Sequence, residues 1–135
     1  MTFSLIRLFQ KKAKISDGLK QPEREAIAEL LLFCMYADKF IALEEGKFID
    51  DVATTLNWDS GTTFDYFESR ATARVREANE NADVREDFFK SIRSRLDSKH
   101  ARALAVDLAH QLFLADGVET EQERQLEARL KQLLG

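Results

Sequence analysis

Residues 22–38 read PEREAIAELLLFCMYAD. Ile27, Leu30, Leu31, Cys34 and Met35 recur at spacings of three and four, the period of one face of an α-helix. Pro22 suits the first turn, where its missing N–H has no intrahelical partner to lose. The same period continues to either side. Residues 44–56 carry Phe48, Ile49, Val52, Ala53 and Leu56, and Asn57 with Asp59, Ser60 and Gly61 then stops the helix. Residues 62–79 place Phe64, Phe67, Ala71, Val75 and Ala78 on one face. Asp83 is the expected N-cap of a helix whose face is Val84, Phe88, Phe89, Ile92 and Leu96. Residues 99–115 carry Leu104, Ala105, Leu108, Leu112 and Phe113, and residues 120–134 carry Leu126, Leu130, Leu133 and Leu134. No strand-like alternation competes with these segments, and the short connections predict antiparallel neighbours.

Composition agrees. One proline and five glycines in 135 residues are too few breakers for the turns of an all-β domain. A hydrophobic share of 44% with ten Phe excludes a disordered chain. The expectation is therefore a single all-α domain over residues 1–135, able to build a core without staples. The lone Cys34 forms neither an internal disulfide nor a thiolate zinc cluster, which fits a reducing, cytoplasmic setting. A net charge of −4 gives no footprint for nucleic acid. No apolar run is long enough for a membrane span, and no signal peptide is read at the start of the chain.

An internal repeat organises the chain. A shift of 78 residues lays 22–56 on 100–134. Arg24 meets Arg102, Ala37-Asp38 meets Ala115-Asp116, and Glu45 meets Glu123. The apolar faces agree too, Leu30 with Leu108 and Cys34 with Leu112. The expectation is a pseudo-twofold duplication of helical hairpins within a bundle of six to seven helices.

Each copy has an acidic interhelix loop. In the second, Gly117 follows a helix end, and Thr120 with Glu123 has the spacing of a capping box. Capping leaves Asp116 and Asp38 unexplained, because both stand at helix C-termini, where the dipole disfavours an anion. The next helix's free N–H groups are one compensation. The other is a divalent cation held by Asp116 with Glu119, Glu121 or Glu123, an oxygen-only set suited to calcium, magnesium or manganese. It is not an EF-hand: counted from Asp116, positions three, five and six are Val118, Thr120 and Glu121.

These features resemble the TerB-like family, the helical proteins named after bacterial tellurite-resistance determinants. The resemblance rests on the paired Ala-Asp breaks with a Glu seven residues later, on Asp116-Gly117-Val118 with Thr120 and Glu123, and on the Phe- and Lys-rich leader. It implies an all-α bundle with internal duplication, a link to tellurite resistance and chemical stress, and divalent-metal binding by loop acids. Carried over by residue, those acids are Asp38 and Glu45 in the first copy. In the second they are Asp116 and Glu123, with Glu119 and Glu121 added. The first copy departs from the pattern: Lys39 replaces the glycine, and its ammonium offers Asp38 another partner. No His-Pro-Asp triplet is present, so co-chaperone activity is not implied.

The remaining residues read plainly. His100 and His110 lie ten positions apart, about 15 Å along a helix, and cannot share a metal. Cys34 is a small core residue, Trp58 a lid over a helix junction, and Arg70, Arg74 and Arg76 a solvated face. No motif points to catalysis, so the expectation is a non-enzymatic protein with a protein partner. Residues 1–20 hold five Lys and Arg against one Asp, while the rest hold fifteen against twenty-three. This basic apolar leader reads first as a helix docked on the bundle, and second as a weak anchor at the membrane's inner face.

Overall fold

The computed structural model describes residues 19–37, 64–114 and 120–135. These residues are all-helical, with five helices and no strand among them. They are α1 (Gln21–Ala37), α2 (Phe64–Glu80), α3 (Ala82–Arg95), α4 (Lys99–Leu114) and α5 (Glu121–Leu134). The expected helix at 44–56, Trp58 and the leader through residue 18 lie outside the described residues.

α1 is the hub. It packs against α2, α3 and α4, whereas α5 leans on α4 and touches α3. The sequence dictates this arrangement. From Ala26 to Cys34 every residue is buried, so the helix is covered on all sides rather than along one stripe. Ile27, Leu30, Leu31 and Cys34 are fully enclosed, as their spacing predicts. Val75 and Ala78 of α2, Phe89 and Ile92 of α3, and Leu108 and Phe113 of α4 complete the core. Phe33 stacks on Phe88 with ring centroids 5.4 Å apart and meets Phe89 edge-on at 5.2 Å, locking α1 to α3.

All-round burial of α1 carries two carboxylates inward with it. Glu29 is answered by two arginines: Oε1 accepts from Arg74 Nη1 at 2.8 Å and Arg95 Nη2 at 2.9 Å, and Oε2 accepts from Arg95 Nη1 at 2.7 Å. The face at 70–76 is exposed, as expected, and two of its arginines also have partners on α1. Arg74 reaches across to Glu29, and Arg76 lies over the Tyr36 ring, 5.5 Å from its centroid.

Glu23 is the other buried acid. Its Oε1 accepts from the Lys20 N–H at 3.0 Å, and its Oε2 accepts from the Ser98 N–H at 3.0 Å and the Ser98 hydroxyl at 2.9 Å. Ser98 Oγ in turn accepts from the Ala101 N–H. One carboxylate thus fastens together the N-terminal ends of α1 and α4. Burial pushes the Glu23 carboxyl upward. The N–H groups of Lys20 and Ser98, the Ser98 hydroxyl and the Lys20 charge outweigh it, so the carboxyl sits below its ordinary value.

Asn81, not Asp83, caps α3. α2 runs through Glu80, so Asn81 is the one non-helical residue between the two helices. Its side chain accepts from the Asp83 and Val84 N–H groups. Asp83 instead occupies the first turn. Arg85 ties the corner by donating to the Ala78 and Asn79 carbonyls.

Candidate functional site

Two of the six expected metal ligands, Glu121 and Glu123, lie in the first turn of α5. The capping box forms as its spacing predicts. Glu123 N–H donates to Thr120 Oγ1 at 3.1 Å, and Thr120 N–H donates to Glu123 Oε1 at 2.8 Å. Glu123 is 5% exposed, and its second oxygen, Oε2, is buried with no hydrogen-bond partner among the described residues. A carboxylate oxygen withdrawn from water without a donor is costly, and a cation is one group that would relieve it. On that observation Glu123 fits a divalent ion. Glu121 stands apart from it: exposed, it accepts from Arg124 Nη2 at 3.0 Å and from Gln125. Asp38, Glu45, Asp116 and Glu119 lie outside the described residues. Among the described residues no three His, Cys, Asp or Glu side chains converge on a common point.

A second constellation lies between α4 and α5 and was not legible as a site. His110 Nδ1 lies 2.8 Å from both oxygens of Glu127, so the nitrogen that faces the carboxylate is the ring's donor. Glu127 is buried at 6% exposure and also holds Lys131 Nζ at 3.2 Å. The i,i+4 step from Glu127 to Lys131 was visible in the sequence. The His110 contact spans seventeen residues and a helix reversal, so spacing gave no signal for it. These groups border a groove of about 500 Å³.

A second depression, of about 600 Å³, is lined by Phe33, Tyr36 and Phe89. Its cations are already engaged. Arg129 pairs with Glu86 at 2.6 Å and lies over Phe89, while Arg85 serves the α2 carbonyls. Cys34 is buried in the core, as expected. Among the described residues no helix is long and apolar enough to cross a membrane. Compared with known proteins, the chain matches no family model, no curated protein and no solved structure.

Proposed function

We propose that this chain is a TerB-like, non-enzymatic stress-response protein of the tellurite-resistance type, which holds a divalent cation at the acidic turn opening α5. The observation that carries the reading is Glu123 Oε2, buried and without a partner among the described residues, on a carboxylate whose other oxygen is fixed by the cap. Asp116 and Glu119 precede Glu123 by seven and four residues and offer the further oxygen donors that calcium, magnesium or manganese prefer. A bound cation would neutralise this acidic turn. Glu121, committed to Arg124, is the least suited of the second-copy acids. In the first copy Asp38 and Glu45 form the equivalent pair. The duplication belongs to this reading, with six to seven helices in all. Leu30 with Leu108, and Cys34 with Leu112, are buried at matched positions.

The test is a calorimetric titration of chelator-treated protein with calcium, magnesium, manganese and zinc. The double variant Asp116→Ala, Glu119→Ala spares the Thr120–Glu123 cap and should abolish binding. A wild type that binds none of the four, or a double variant that binds unchanged, refutes the cation site.

A second reading rests on the leader, where Lys11, Lys12 and Lys14 follow apolar Phe3, Leu5, Ile6, Leu8 and Phe9, and residues 1–20 hold five basic residues against one acid. In it the protein is a cytoplasmic adaptor for a protein partner, held peripherally at the inner face of an anionic membrane. Flotation with anionic liposomes tests it: removal of the first 14 residues should abolish flotation, and equal flotation of both forms refutes the anchor.

A further inference from the structure

The His110–Glu127 contact fixes how the imidazole is used. Nδ1 lies 2.8 Å from both carboxylate oxygens, so it carries the proton of the neutral ring and the lone pair stands on Nε2. Glu127 is buried and is held in turn by Lys131. Nε2 has no hydrogen-bond partner among the described residues. It is not enclosed either, because the side chain is 37% exposed and lines the groove between α4 and α5. One ring nitrogen is thus engaged by a buried carboxylate, and the other is a bare electron-pair donor at the surface.

A second donor stands beside it. Asp107 lies three residues before His110 on α4 and lines the same groove. Side chains three apart share a helix face, with Cβ atoms about 5–6 Å from each other. An acid followed three residues later by histidine is a spacing by which one helix offers an oxygen and an imidazole nitrogen to the same ion. A histidine that binds a metal donates its other N–H to a carboxylate, which fixes the ring and raises the basicity of the ligating nitrogen. Asp107, His110 and Glu127 supply these three parts. Glu127 sits behind the ring at Nδ1, so only two protein donors face the ion and no group of three converges on one point.

We infer that Asp107 and His110 form an open site for a divalent transition-metal ion of the nickel or copper class, with Glu127 as its positioning residue. A mixed nitrogen and oxygen donor set suits those ions, whereas calcium and magnesium take oxygen alone. Water completes the coordination from the open side of the groove. Two cations of the lining are turned to other tasks: Arg102 Nη1 donates to the Leu96 and Asp97 carbonyls, and Lys131 pairs with Glu127. The site shares no donor with the cation proposed at Glu123 and does not rest on it.

The experiment is NMR of the untagged, isotope-labelled full chain, first free of metal and then titrated with nickel(II). Without metal, the His110 ring nitrogens should show the proton on Nδ1. Paramagnetic nickel should then broaden the His110 ring and the Asp107 amide at concentrations that leave His100, the other histidine, sharp. His110→Gln keeps a donor for Glu127 and should abolish this response while melting as wild type does. Asp107→Asn should weaken it, and Glu127→Gln should weaken it roughly tenfold, the loss expected when the carboxylate behind a ligating histidine is neutralised. Asp116→Ala with Glu119→Ala, which empties the turn before α5, should leave it unchanged, so the two sites fail separately. A proton found on Nε2, broadening confined to another part of the chain, no broadening at all, or a His110→Gln variant that responds like wild type would each overturn the inference.

Discussion

Glu29 shows how a single buried charge is made tolerable. Two unit charges taken out of water lose several kcal/mol of hydration, and only close, multiple hydrogen bonds recover it. Glu29 has three, two of them from the planar fork of Arg95. Its side chain is 2% exposed, whereas Arg74 is 42% exposed and can turn to solvent. The two partners are therefore unequal. Glu29→Ala strands Arg95 beneath α1 and should cost about 3 kcal/mol in urea unfolding. Arg74→Ala leaves the Arg95 fork in place and should cost about 1 kcal/mol or less. Equal losses would mean that the triad is not divided as the geometry divides it. Glu23 gives a pH signature. Its carboxyl sits below the ordinary value of 4.5, so the folded state holds its proton less tightly than the unfolded one. The stability it confers is full above about pH 4.5 and is lost as pH falls through the lowered folded value. The stability gap between wild type and Glu23→Gln should be widest near neutrality and close in acid. A gap that does not narrow below pH 4.5 contradicts the assignment.

At the level of the helix, the caps separate local from long-range information. Thr120→Ala removes one acceptor from the first turn of α5 and should cost about 1 kcal/mol. Ser98→Ala should cost more, because Ser98 Oγ serves both the Ala101 N–H and Glu23 on α1. A double-mutant cycle between Ser98→Ala and Glu23→Gln should give a coupling of about 1 kcal/mol, whereas Thr120→Ala with Glu23→Gln should be additive. The same contrast explains what the sequence could reveal. The Thr120–Glu123 box was legible because both partners lie within one turn. The Glu23–Ser98 bond spans 75 residues, and no spacing rule reaches that far. Asn81 and Asp83 are equally good capping residues, and what decided between them was the length of α2. Helix faces were readable at Ile27, Leu30, Leu108 and Leu130 because burial follows period. Glu127 and Glu29 broke that rule, because each is buried against a partner distant in the chain, His110 for the one and Arg74 with Arg95 for the other. The candidate site was legible only in its capping half. The His110–Glu127 pair required the fold to bring it together.

Across the whole molecule, stability should be graded from α1 outward. α1 contacts three helices and is apolar on every side from Ala26 to Cys34 apart from the neutralised Glu29, so its amides become accessible only when the bundle comes apart. α5 rests mainly on α4 and buries Leu130 and Leu134 alongside two carboxylates, Glu123 and Glu127. Apolar burial contributes roughly 1.5–3 kcal/mol for each fully enclosed large side chain, whereas a buried carboxylate first has to recover its lost hydration. α5 is therefore held by fewer favourable contacts and should open without the rest. Native-state hydrogen exchange in low denaturant measures this. Amides of Ile27 to Phe33 should report the global unfolding free energy, and those of Leu126 to Leu130 a smaller, local one. Leu31→Ala should lower the α1 value by about 2–5 kcal/mol and carry the global transition down with it. Leu130→Ala should act first on the α5 opening. If both helices exchange with one common free energy in the wild type, the bundle unfolds as a unit and the hub arrangement of α1 confers no hierarchy.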